Sequence, residues 1–190
     1  MKRQLLAAAA CALAILVAHP ARAQTFAVEL RAGGGVGATE SSGAGLELVP
    51  RPSFGLTVSY APLVRLAVYA GYSRRSFGCE SVFCHGRGID FTSSGPHAGV
   101  RFGFPLAGRP WLRAGVVVHH LEANAKEPPA RESSELAAGF EAGAGLAFGL
   151  TRRVTLTPGI GYTRYSATFG DQPKEGVVLL VADVGLRISF

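Results

Sequence analysis

The chain has 190 residues, of which 48% are hydrophobic, 17% charged and 25 glycine. Its formal charge is +6, yet Lys2, Arg3 and Arg22 sit in an N-terminal segment with the features of an export signal; 19 basic residues less these three leave 16 against 13 acidic ones, or +3. So small an excess on an exported chain excludes nucleic acid as a partner, and the remaining length suits one domain.

Lys2 and Arg3 precede the apolar run LLAAAACALAILVA, which leads into HPARAQ. A positive start, an apolar stretch and a small-x-small site make a signal peptide, with the cut expected between Ala23 and Gln24. Residues 1–23 are then the signal peptide and 24–190 the mature domain. The run is shorter than the roughly 20 residues of a membrane-spanning helix, which argues against an anchor. Cys11 lies too early in it for lipid attachment.

Eight segments of period two follow, the pattern of strands with one apolar face. The first sets Phe26, Val28, Leu30 and Ala32 against Glu29, Arg31 and Gly33. The second sets Phe54, Leu56, Val58 and Tyr60 against Gly55, Thr57 and Ser59; the third sets Val64 to Tyr72 against Arg65, Ala67, Tyr69 and Gly71. The fourth sets Ala98, Val100, Phe102 and Phe104 against His97, Gly99, Arg101 and Gly103. The fifth sets Leu112 to Val118 against Arg113, Gly115, Val117 and His119. The sixth carries its apolar face from Leu136 to Phe148, against Gly139, Glu141, Gly143 and Gly145. The seventh runs Val154 to Tyr162 against Thr155, Thr157, Gly159 and Gly161; the last runs Val178 to Phe190 against Asp183, Gly185, Arg187 and Ser189.

Short connections (APLV, PLAGRP, LTRR) follow the second, fourth and sixth segments, and long polar ones follow the others. An even number of strands joined alternately by tight turns and long loops is the pattern of a transmembrane β-barrel. The expected fold is therefore all-β, an eight-stranded antiparallel barrel with periplasmic termini and extracellular long loops. A soluble eight-stranded lipocalin-type barrel is the rival, but the less apolar face, rich in Gly and Ser with sparse charge, would make a poor solvent coat. Phe26, Tyr60, Tyr72, Phe104, Phe148, Tyr162 and Phe190 stand where aromatic girdles are expected.

The signal peptide, the eight segments, the short-long rhythm and the terminal GLRISF together resemble the small OmpA/OmpX-type outer-membrane barrels over essentially the whole mature chain. The resemblance implies that terminal Phe190 belongs to the signal read by the barrel-assembly machinery. It also implies a monomer in the outer membrane, without cofactor. No second domain is expected after Phe190.

The inward set is Glu29, Arg31, Arg65, His97, Arg101, Arg113, His119, Glu141, Asp183 and Arg187, diluted by glycine. Eight strands enclose a space that side chains fill, and charges there must pair or hold water. A salt-bridged plug is the preferred reading. Arginines outnumber carboxylates, which leaves a narrow anion-selective pore as the alternative. The stretches AGGGVGA and GAGAGLAFG lack the Gly-Lys-Ser/Thr ending of a phosphate loop; small residues making room for long neighbours explain them.

Cys79 and Cys84 share a long loop, FGCESVFCHGRG, and an oxidising compartment favours a disulfide. So small a ring contributes roughly 2 kcal/mol. A metal site with His85 has neither zinc nor haem spacing. Ser94 falls opposite His120 by register, with Glu122 two residues on. That set would suit a lipid A acyl hydrolase, the third choice of function. Arg74, Arg75, Arg87, Lys126, Arg131 and Lys174 are read as loop cations among Glu80, Asp90, Glu127, Glu132 and Asp171, with no polybasic block. Arg74 and Arg164 fall on the lipid-facing register just beyond the aromatic level, as contacts for lipopolysaccharide phosphates. The preferred function is non-enzymatic: an envelope scaffold that presents its loops to a surface partner.

Overall fold

A computed structural model describes residues 25–39, 48–79, 89–125, 130–170 and 174–190. The signal-peptide expectation for 1–23 lies outside the described residues, as do Cys84 and the side chain of Cys79.

The strands are β1 (Thr25–Thr39), β2 (Leu48–Ala61), β3 (Leu66–Cys79), β4 (Ile89–Gly103), β5 (Trp111–Ala125), β6 (Ala130–Ser133), β7 (Ala137–Gly145), β8 (Phe148–Gly149), β9 (Val154–Ala167) and β10 (Glu175–Ser189). All pairings are antiparallel between chain neighbours, and β10 returns to β1. β6, β7 and β8 are pieces of one stave, so the closed barrel has eight. Closure runs from Ala27 opposite Ser189 to Thr39 opposite Val177, and the Phe190 amide donates to the Phe26 carbonyl (2.8 Å). No sheet edge is left unpaired along this seam, which is what lets strands cross a membrane.

Alternation along the strands becomes alternation between lipid and lumen. Leu30, Val116 and Ile160 are 60%, 61% and 66% exposed, while their neighbours Glu29, Val117 and Gly161 are buried. The aromatic girdles pair: Phe26 with Tyr60 (ring centroids 4.9 Å) and Phe102 with Phe104 (5.1 Å) at the periplasmic end, Phe140 with Tyr162 (5.7 Å) at the other. Strands of 14 and 15 residues exceed the roughly ten that cross the hydrocarbon. The surplus projects outward: beyond Tyr72, Val118 and Tyr162 the outer face continues with Arg74, His120 and Arg164.

The tight turns are held locally. The Arg109 amide donates to the Leu106 carbonyl (2.9 Å), and Gly108 and Arg109 both take positive φ, 74° and 43°. Thr151 Oγ1 accepts from the amides of Arg153 (3.2 Å) and Val154 (3.0 Å). The sixth stave extends further than the alternation starting at Leu136 suggests. It begins at Ala130 and is interrupted at Ser134, whose Oγ accepts from the Leu121 amide (2.8 Å) and thereby keeps the stave docked across the break.

Three expectations need correction. Several charges read as loop residues stand on strands, Arg74 on β3, Asp90 on β4, Arg131 and Glu132 on β6, and Arg75 on β3 with its side chain buried in the lumen, because the strands run further than the alternation suggests. Arg65 is exposed in the turn before β3, because the ladder begins only at Leu66. The lumen is also more than charge and glycine. Its extracellular end holds an apolar core of Phe77, Leu121, Tyr165, Ala167, Val177 and Leu179, with Phe91, Ala137 and Phe169 packed against it.

Candidate functional site: the lumen and its extracellular rim

The lumen is filled in layers. Nearest the periplasm, Trp111 is buried with its Nε1–H donated to the Leu146 carbonyl (2.9 Å). The Arg101 guanidinium lies 4.2 Å from its ring centroid and that of Arg31 5.2 Å away, a cation–π arrangement. Arg101 donates to Glu29 Oε2 (2.8 Å), and Arg31 pairs with Glu29 Oε1 and, through two nitrogens, with Asp183. Thr157 donates to Glu29 Oε1 (3.0 Å). Glu29 therefore receives three charged or hydroxyl donors, enough to offset its removal from water.

The next layer centres on Glu141. Arg75 donates to its Oε2 (3.2 Å) and Tyr69 to its Oε1 (2.8 Å), while an Arg113 nitrogen stands 4.0 Å off. Arg75 also donates to the Thr163 hydroxyl. His97 lies 3.3 Å from the Thr57 hydroxyl, and its Nδ1, like Arg113 Nε, is buried without a protein partner among the described residues. Above this, Tyr165 donates to Ser93 Oγ (2.8 Å), which meets His119 Nδ1 (3.0 Å); His119 Nε2 meets Ser73 Oγ (3.3 Å). His119 is thus bound by hydroxyls and not by a carboxylate. The apolar core caps this chain.

Glycine makes the layers fit. A Cβ on Gly99 or Gly115, which face each other on β4 and β5, would come within 2.7 Å of the Tyr69 hydroxyl. One on Gly185 would stand 2.7 Å from Glu29 Oε1, and one on Gly145 2.5 Å from the Trp111 ring. Tyr69, Glu29 and Trp111 thus each lie against a strand position that has no side chain to oppose them.

Of the expected inward set, Glu29, Arg31, Arg101, Asp183, Arg113 and Glu141 meet in these ion-pair layers, with His97 and His119 beside them. Arg187 and Arg65 line a small cavity at the periplasmic mouth. Sequence reasoning placed Tyr69 and Thr157 on the inward face without giving them a partner, and missed Arg75, Ser73, Ser93, Thr163 and Trp111. All stand at odd positions of strands whose odd positions face inward, so the alternation finds them once it is carried over the full paired length of each strand.

At the extracellular rim, outside the apolar band, Ser94 does face His120. Ser94 Oγ is 3.3 Å from His120 Nε2, and Glu122 Oε1 is 3.5 Å from the same nitrogen. A nucleophile–base–acid relay needs the acid on the other ring nitrogen, so this trio is not built as one. Glu122 is instead tied to Arg131 (2.8 Å), whose hydrogen bond holds its carboxyl below the usual carboxylate range. Arg74 and Arg164 are exposed on the outer face nearby. Among the described residues no group of three or more His, Cys, Asp or Glu is placed to hold a metal.

The same architecture recurs in solved structures. Neisserial surface protein A superposes with a TM-score of 0.67 at 17% identity, over 87% of this chain and 97% of that one. OprG of Pseudomonas aeruginosa gives 0.56 at 14%, over 88% and 96%. Ail, the attachment invasion locus protein of Yersinia pestis, solved with the heparin analogue sucrose octasulfate, gives 0.53 at 18%, over 87% and 99%. No curated protein matches the chain significantly by sequence. The family model of the outer membrane protein beta-barrel domain matches residues 8–183, and with a closed, lipid-facing, eight-stave barrel this places the chain in the outer-membrane β-barrel family.

Proposed function

We propose that the protein is a non-conducting outer-membrane scaffold that acts through its extracellular surface. The observation that carries this reading is the apolar core across the outer mouth, from Phe77 on β3 to Leu179 on β10, stacked on two ion-pair layers. A conducting path would have to cross a dry layer and then strip Glu141 or Glu29 of its partners. Rigid barrels carry function on their loops, and the projecting rim extends the rigid part beyond the membrane. Arg74 and Arg164, just past the aromatic girdle, suit lipopolysaccharide phosphates, and Phe190, ending the closing strand, suits recognition by the assembly machinery. Export by a 1–23 signal peptide and a Cys79–Cys84 loop disulfide belong to the same reading. No enzymatic step is assigned.

The second reading is a narrow anion channel, favoured by the surplus of inward arginines over Glu29, Glu141 and Asp183. Ion conductance of the folded barrel in a planar bilayer, with folding verified by unheated-gel mobility, separates the two. Silence is the expected result. Discrete anion-favouring steps that change with Arg101→Gln would overturn it.

A further inference from the structure

The periplasmic end of the lumen carries charge that the ion-pair layers do not neutralise. A cavity of about 150 Å³ opens there, walled by Arg65, Arg101, Arg109, Arg187 and Trp111, with no Asp or Glu in its lining. Arg101 is already paired with Glu29, but among the described residues no ion pair joins Arg65, Arg109 or Arg187 to a carboxylate. Arg31, Arg101 and Arg187 share only Glu29 and Asp183, so one positive charge is in excess before Arg65 and Arg109 are added. The surplus stands at a mouth open to water, with Arg65 and Arg109 exposed at its edge and Arg101 and Arg187 further in.

The placement is built by separate elements. Arg65 comes from the turn before β3, Arg187 from β10 opposite Glu29 of β1, and Arg109 from the β4–β5 turn. Arg109 takes φ 43°, the left-handed region that a residue with a side chain rarely adopts. Above the cavity, Trp111 and the Arg101–Glu29–Arg31 layer close the way onward, so an occupant would stay at the mouth.

We propose that this vestibule binds one phosphate-type oxyanion from the periplasm, free or as the terminal phosphate of a larger solute. Guanidinium forks match tetrahedral oxyanions with paired hydrogen bonds. The volume admits one such ion and a few waters, since a water occupies about 30 Å³ in the liquid. The site faces away from the loops and stands independently of the surface role.

The chain has a single tryptophan, and Trp111 is in the wall of this site. Its fluorescence in the folded barrel therefore reports occupancy directly. Inorganic phosphate, titrated at constant ionic strength against chloride, is expected to give a saturable change in emission that chloride alone does not. Replacing Arg65 and Arg109 together by Gln should weaken that response at least tenfold, with folding confirmed by unheated-gel mobility. Arg131→Gln, at the opposite end, should leave it unchanged. A sugar phosphate that competes would assign the site to carried phosphate groups, and one that does not would assign it to the free ion. Absence of a saturable response, or an equal response in the double variant, would overturn the proposal. Bilayer conductance of the same preparation tests the scaffold reading separately.

Discussion

The middle of the lumen and its extracellular end are filled in opposite ways. At membrane depth the outer face is apolar and the inner face holds Glu29, Arg31, Arg101 and Glu141, the last met by Arg75 from just above the girdle. Above the girdle the arrangement reverses: Arg74, His120, Glu122 and Arg164 face outward while Phe77, Leu121, Tyr165 and Leu179 face inward. The same strands change from an inside-out protein to an ordinary water-soluble barrel within a few residues. The change follows the solvent. Where lipid surrounds the barrel, burying an apolar side chain in the lumen gains little over leaving it in lipid, and polar groups can only go inside. Where water surrounds it, apolar burial is worth about 25 cal/mol per Å², and the core moves to the axis.

The sharpest way to break this contrast is to remove the charge at the centre. Glu141→Ala would leave Arg75 buried without its carboxylate, and unpairing a buried ion typically costs about 3–5 kcal/mol. Denaturant unfolding of the barrel in lipid vesicles should show a loss of that size. Arg75→Met combined with Glu141→Leu should recover only part of it, because the paired replacement relieves Arg75 but still takes the carboxylate from Arg113, 4.0 Å from Glu141. A loss for Glu141→Ala under about 1 kcal/mol would mean that water already screens the layer, and the middle would not differ from the rim.

The apolar end offers the next test. Leu121→Ala should cost about 3 kcal/mol, as large-to-small changes in packed cores do. The loss should be local. Amide exchange is expected to rise around Phe91, Leu121 and Val177, while the β1–β10 seam at Val28 and Leu30 keeps its protection. Uniform loss of protection along the seam would show that the cap and the membrane barrel open as one unit.

The two regions were also unequally legible in the sequence. At membrane depth the alternation is clean, since Leu30 beside Glu29 and Arg31 leaves one assignment of faces. The strands, their order and most of the inner charges follow from it. Above the girdle both faces lose their signature. The run Val177–Val181 is apolar at every position, so it shows no faces by itself, and that Val177, Leu179 and Val181 turn inward follows only from counting back from Asp183. Arg75 was misplaced for the same reason: with Arg74 beside it and Ser76 after, it reads as loop, and only the paired length of β3 shows that it alone of the two arginines enters the lumen. The Ser94–His120 register was readable by counting from the tight turn, but which imidazole nitrogen meets the acid was not.

The smallest effect tests the rim as a water-facing surface. The Glu122–Arg131 pair lies outside the apolar band, with Arg131 largely exposed, and such pairs contribute about 0.5 kcal/mol. Arg131→Ala should therefore lower stability by no more than that, and the difference should fade in molar salt. Arg131 holds the Glu122 carboxyl below its ordinary range. The contribution is thus fully present above the unfolded carboxylate's titration and is lost as pH falls through the lower, folded one. A carboxyl-carbon NMR titration should show Glu122 moving back toward the usual range in Arg131→Ala. A salt-insensitive loss comparable to that of Glu141→Ala would place this pair in a low-dielectric setting, and the point at which the barrel turns from lipid to water would have to be moved further out along the strands.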